Sequence, residues 1–262
     1  MKDNDAKSEI PCLDGESGQV EAETAIVLPA VVFLLLGLIQ MGLISQARVF
    51  AKVSAYRAVR TGALRAVKLD LMEKAAVAAA LPVLAYRSGN ADTLGRTDTA
   101  TNWMRKWARP GFGMMPSNRM VDAPMLQYVE VTVCGPTQGD VQAGVYNAEG
   151  GGRVVAFDNV DISSKGITTK LRVRTTLNYR MFIPFANWVI YRMWRGKKIT
   201  KELRLDARKF VMPGMNFDRY EQAAQLGVYV VPIQSFYSMK LHSDVPIDRL
   251  PQDANVCDGA AI

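Results

Sequence analysis

The chain has 262 residues, 49% of them hydrophobic, with 32 Lys and Arg against 25 Asp and Glu for a net charge of +7. That length exceeds a single small module and suits a helical anchor plus one globular domain. With one histidine, three cysteines and no C-x-x-C there is little to hold a metal, and no nucleophile elbow or phosphate loop occurs, so neither an enzyme nor a cofactor is expected. No recognised nucleic-acid motif accompanies the basic balance, so no specific nucleic-acid partner is expected.

Residues 1–18 hold Lys2 and Lys7 against Asp3, Asp5, Glu9, Asp14 and Glu16; their removal raises the net charge to +10. This acidic stretch is unlike the short basic start of a secretory signal. From Thr24 to Ala47 there is no Asp, Glu, Lys or Arg. At 1.5 Å per residue the run reaches roughly 35 Å, enough to cross a bilayer with some tilt. It is the one run of its kind and predicts a single transmembrane helix. "QARVFAKVSAYRAVR" follows with no small-residue cleavage site, so the apolar run is expected to stay in the mature protein.

The helical pattern continues beyond the run. Val49, Val53, Tyr56, Ala63 and Val67 recur at helical spacing, and nothing between Ser45 and Ala80 breaks the chain, so one long helix is expected, apolar and then amphipathic. "KAAVAAALPVLAYR" extends it or forms a second helix, with Pro82 at a kink or boundary. Residues 88–101 are rich in turn formers and read as a hinge. "NWMRKWARPGFGMMPSN" reads as a helical turn and a Gly/Pro loop.

Strand patterns begin at Leu126 with "LQYVEVTVC". They recur in "VVAFDNVDI", in "GITTKLRVRTTLNYRMF", in "KKITKELRLDARKFV" through Ile199, Leu203 and Leu205, and in "VYVVPIQSFYSMKLHS". "DRYEQAAQLG" fits a short helix, and "EGGGR" a flexible loop. The expected fold is α+β: a long N-terminal transmembrane and amphipathic helix, then a small antiparallel-sheet head. The boundaries are a leader over 1–18, a helical stem over 19–87, a linker over 88–118 and a head over 119–262.

Cys12 precedes the membrane run. If that part is cytoplasmic or removed, Cys134 and Cys257 remain, a pair suited to one disulfide in an oxidising compartment or else two unrelated buried thiols. In "FIPFANWVIYRMWRGKK", Trp188, Tyr191 and Trp194 fall three apart and basic residues follow. This is either a membrane-surface or subunit-contact helix, or a helix capping the sheet with a solvated basic end. His242 is read as structural.

Gly18, four residues, Glu23 and then "TAIVLP" resemble the processing and anchoring region of the TadE/TadG-like minor pseudopilins of tight-adherence (Flp, type IVc) pili. Gly18, Glu23, Ala25, Val27, Leu28 and Pro29 fit the family pattern; Thr24 departs from its large residue after the glutamate. The resemblance covers roughly residues 18–45, with a fainter one in the strands of the head. It implies cleavage by a prepilin peptidase between Gly18 and Gln19, so that the carboxylate of Glu23 can meet the new amine at Gln19 and bring subunits into register. Otherwise Glu21 and Glu23 are first-turn acids that complement the helix dipole.

The implied partners are other pilins or pseudopilins, the pilus-assembly platform, the prepilin peptidase and membrane lipid. The implied location is the bacterial inner membrane, with the head in the periplasm or on a pilus. Arg48, Lys52, Arg57, Arg60 and Arg65 lie after the membrane run, and the positive-inside rule would instead put the head in the cytoplasm. The rival function is a permanently anchored module whose basic head captures an anionic ligand.

Overall fold

A computed structural model describes residues 16–88, 91–108, 118–141, 145–147, 152–157, 170–195, 217–252 and 257. One helix, α1 (Glu16–Leu64), runs through both the anchor and the head, and its course includes Pro29. From Glu21 to Ile39 it is almost wholly exposed, and from Gln40 onward one face of it is buried. The buried face is Gln40, Ile44, Ala47, Ala51, Ser54, Ala55, Ala58, Val59, Gly62 and Ala63, most of them small and spaced as one helical face.

This corrects the expected stripe. Ala63 and Val67 are buried, but Val49 and Val53 point outward, Val49 at 61% exposure. The reason is that α1 is covered from two sides. Small side chains let neighbouring elements come close, and β-branched side chains at those positions would hold them apart.

The helix is also shorter than expected. It ends in a turn where Ala66 and Val67 both have φ 53°, and α2 (Leu69–Ala80) doubles back along it. Ser54 Oγ donates to the Ala76 carbonyl at 2.8 Å, and a Cβ on Gly62 would lie 2.8 Å from Met72 Sδ. A left-handed valine is costly unless its surroundings hold it. Here they do. Ser243 Oγ accepts from Ala66 N at 3.0 Å and donates to the Ala63 carbonyl at 2.9 Å. His242 N donates to the same carbonyl at 3.1 Å, and Arg249 Nη1 donates to the Ala66 carbonyl at 2.9 Å. These partners lie some 180 positions away in sequence, so no local pattern announces the turn.

After α2 a 3₁₀ turn (Leu81–Val83), with Pro82 in its first positions, leads to a hairpin of β1 (Tyr86–Ser88) and β2 (Ala91–Thr93). Then comes α3 (Ala100–Ala108). The span read as a linker thus contains β2 and α3; residues 109–117 lie outside the described residues. The main sheet has the order β3–β6–β7, from β3 (Val129–Gly135), β6 (Lys170–Arg180) and β7 (Val230–Lys240), all antiparallel. β6 is central. β7 is an edge strand, which lets Pro232 sit within it.

A second antiparallel sheet joins β4 (Val145–Asn147), β5 (Arg153–Val155) and β8 (Val245–Pro246). Two short helices, α4 (Ala186–Arg195) and α5 (Phe217–Gln225), complete the α+β head. The strand expected around Ile199, Leu203 and Leu205, and most of the "EGGGR" loop, lie outside the described residues.

The two faces of β6 differ. Leu171, Val173, Leu177 and Tyr179 face α1: Leu171 Cδ2 approaches Gly62, and Tyr237, opposite Val173, meets the ring of Tyr56 at 5.3 Å. On the reverse face Arg174, Thr176, Asn178 and Arg180 are also buried.

Replacing Ser243 by Ala should remove two of the four bonds that hold the turn after α1. We expect a loss of about 1–2 kcal/mol of stability, read as a lower denaturant midpoint of the detergent-solubilised protein.

Candidate functional site

The N-terminal half of α1 carries the sequence-predicted processing and assembly residues. The helix begins at Glu16, so Gly18 and Gln19 lie within its first turn and Glu23 follows in the second, exposed, as is Glu21. Thr24 Oγ donates to the Glu21 carbonyl at 3.1 Å. From Glu21 to Ile39 every residue is exposed except the half-buried Leu36 and Gly37, although Ile, Val, Leu and Phe dominate. Only 6% of the most apolar window is buried within the chain. A helix this apolar and this bare is a candidate membrane anchor.

The apolar helix enters the head at Gln40, the first fully buried residue after Glu21, at 0% exposure. Its Oε1 accepts from Ile183 N at 3.4 Å, and the Tyr179 hydroxyl lies beside the same side chain. Because Leu171 meets α1 at Gly62 and Tyr179 meets it at Gln40, β6 runs antiparallel to α1. The end of β6 therefore lies where the anchor emerges.

Residues 18–63 match the family model of the TadE-like proteins. The anchor segment is TadE-like. The match spans both the bare helix and its packed continuation, stopping one residue before α1 ends, and suggests a protein associated with the Tad pilus. No curated protein and no solved structure matches the chain.

Beside this TadE-like segment the structure divides the aromatic trio of α4. Tyr191 is buried, donates its hydroxyl to the Tyr220 carbonyl at 3.0 Å and lies 5.5 Å from the ring of Tyr229. Trp194 is half-buried, 6.1 Å from Tyr220. Trp188 is exposed, with the Arg192 guanidinium 4.8 Å above its ring. Two of the three rings cap the sheet, and one faces outward.

Cys134 and Cys257 are joined, with Cα atoms 5.4 Å apart and 123 positions between them in sequence. The ladder slips between Val133 and Gly135, which leaves Cys134 as the extra residue of a bulge. Gln138 supports the same clip: its N donates to the Pro251 carbonyl and its Nε2 to the Leu250 carbonyl, both at 2.9 Å. His242 Nδ1 lies 2.8 Å from the Lys240 carbonyl, and the imidazole is exposed. Among the described residues no cluster of three or more His, Cys, Asp or Glu could hold a metal ion.

Gln40, Arg180 and Lys106 are among the buried polar groups that the sequence reading missed. Gln40 was legible as a long polar side chain inside an otherwise apolar run. Arg180 is gripped by two carboxylates: Nη2 and Nε to Asp92 at 2.5 and 3.1 Å, and Nη1 to Asp122 at 2.7 Å. Its strand position alternates like that of Arg172, and nothing local separates the buried Arg180 from that exposed arginine. Lys106, in α3, donates from Nζ to the carbonyls of Pro82 and Gly95 at 3.3 and 3.2 Å.

Burial lowers the Lys106 ammonium from 10.5 to about 8. The unfolded chain therefore keeps this proton over a pH range in which the folded chain has released it. Stability should rise between pH of about 8 and 10.5 and show no such rise below that window. Comparing denaturation of wild type and Lys106→Met across the window isolates the effect, and the variant should lack the rise.

For the disulfide, peptide mapping without reductant should recover the two cysteine peptides linked. The Cys134→Ser/Cys257→Ser pair should lose about 3–5 kcal/mol of stability, since so long a loop would be released in the unfolded chain.

Proposed function

We propose that the chain is a minor pseudopilin with a structural rather than a catalytic role in a Tad/Flp-type pilus. A prepilin peptidase removes residues 1–18. The mature protein waits in the bacterial inner membrane, head outside the cytoplasm, and is then drawn into a pilus assembly to initiate, prime or tip it. Its partners are other pilins or pseudopilins and the assembly platform.

The observation that carries this reading is the continuity of α1. A bare apolar helix runs without interruption into a packed head, and the TadE-like match covers both parts. A helix left so apolar needs lipid before assembly and other helices after it. The disulfide favours an oxidising compartment for the head, against the positive-inside count. Of the basic residues behind that count, Arg48, Lys52, Arg57 and Arg60 are exposed on the head-packed part of α1, and Arg65 is exposed just past its end.

In this reading Glu23 pairs with the amine freed at Gln19. A carboxylate at the lip of a membrane segment is costly alone and favourable when paired. If its role were only to complement the helix dipole, glutamine would serve nearly as well.

Mass spectrometry of the mature protein should find an N-terminus at Gln19, and Gly18→Arg should leave the precursor uncut. Glu23→Gln should be cleaved and inserted like wild type, yet fail to co-purify with pilus-assembly partners. Equal recovery of those partners would return Glu23 to an ordinary helix-start acid. An uncut chain at work in a host carrying the peptidase would favour a permanently anchored binding module.

A further inference from the structure

The bare part of α1, residues 21–39, reaches roughly 28 Å at 1.5 Å per residue, close to the thickness of a bilayer's hydrocarbon core of about 30 Å. If that part fills the core, Gln40 stands at headgroup level. The bond from Ile183 N to Gln40 Oε1 puts the loop after β6 at the same level. Two residues along that loop is Phe185, 75% exposed and at φ +64°.

The combination is unusual. A large aromatic in the left-handed region is strained where glycine is not. The ring itself gains little from burial in return, because it is bare. One turn further, Trp188 is 45% exposed and carries the Arg192 guanidinium over its ring. Exposed aromatics with an adjacent arginine, beside the point where an apolar helix leaves a globular head, have the chemistry of the lipid headgroup zone. There the rings sit among the upper acyl chains and the guanidinium reaches a phosphate.

We propose that the head rests on the membrane surface through Phe185 and Trp188, with Arg192 toward lipid phosphate. The contact fixes the depth of the anchor and the tilt of the head while the subunit waits for assembly. It continues the apolar surface of α1 sideways onto the head, so lipid is the occupant. This rests on the reading that α1 spans the membrane.

The test uses the full chain in phosphatidylcholine and phosphatidylglycerol vesicles, with lipids brominated either near the headgroup or near the bilayer centre as quenchers of tryptophan emission. Wild type should lose emission to the shallow bromine more than to the deep one, and Trp188→Phe should lack most of that loss. Phe185→Gly should also weaken it while keeping or raising the unfolding midpoint in detergent, since the strain is relieved and no buried contact is lost. Phe33→Trp reports the anchor separately and should be quenched most by the deep bromine. Quenching of Phe33→Trp together with equal quenching of wild type and Trp188→Phe would overturn the surface contact and leave the anchor standing. An unquenched Phe33→Trp would remove the anchor, and the contact with it.

Discussion

The close approach of α1 to the β3–β6–β7 sheet and to α2 governs the rest of the structure. It is possible because most of the contacting positions are small, Ala47, Ala51, Ser54, Ala55, Ala58 and Gly62, with Ile44 and Val59 the larger buried side chains among them. A helix so tightly held cannot rock on its sheet. Its bare half continues the same helix, so the direction of the anchor is set by packing in the head. The left-handed turn at Ala66 and Val67 follows from the same constraint, because α2 must return along α1 within four residues. Displacing the valines outward, to Val49 and Val53, is the corresponding cost in exposed apolar surface.

The reverse face of the sheet is held by different physics. Asn178, fully buried on the central strand, donates from Nδ2 to the Gln127 carbonyl at 2.7 Å and accepts from the Tyr220 hydroxyl at 2.8 Å. Arg180 is held by Asp92 and Asp122. Burying such groups is unfavourable unless their partners are in place. The covering loops and α5 must therefore adopt one arrangement, which ties the β1–β2 hairpin and the segment before β3 to the end of β6. One face of the sheet is joined by small-residue packing and the other by directional bonds, and the anchor emerges where both end.

The anchor and most elements of the head were legible in the sequence because each has a local cause. An uncharged run of membrane length reads as a helix because inside a bilayer no water would satisfy its backbone. The alternation in "LRVRTTLNYR" and "VYVVPIQSFYSMK" is a property of consecutive residues, and β6 and β7 stand where it does. The disulfide was open in sequence, because two cysteines distant along the chain can be a bridge or two separate thiols, and the bulge at Cys134 that brings them together is not a pattern. The buried stripe of α1 was misread for a related reason. Valines carry more apolar surface than alanines, so they look like the inner face until one knows that two neighbours press close.

By itself, then, the sequence determined the class of molecule: one apolar helix of membrane length, a TadE-like start with glycine and glutamate at set spacing, and a basic α+β head. All of these follow from composition, periodicity and short motifs, which act within a few residues. Only the tertiary structure decided where α1 ends, which of its faces is buried, which of Trp188, Tyr191 and Trp194 faces outward, and that Arg180 and Lys106 lie inside. Each of these depends on a partner contributed from far along the chain: Ser243 for the turn, Tyr220 and Tyr229 for the aromatics, Asp92 and Asp122 for the arginine, Pro82 and Gly95 for the lysine. The identity of such a partner is a matter of three-dimensional proximity, and proximity between distant residues exists only once the chain has folded.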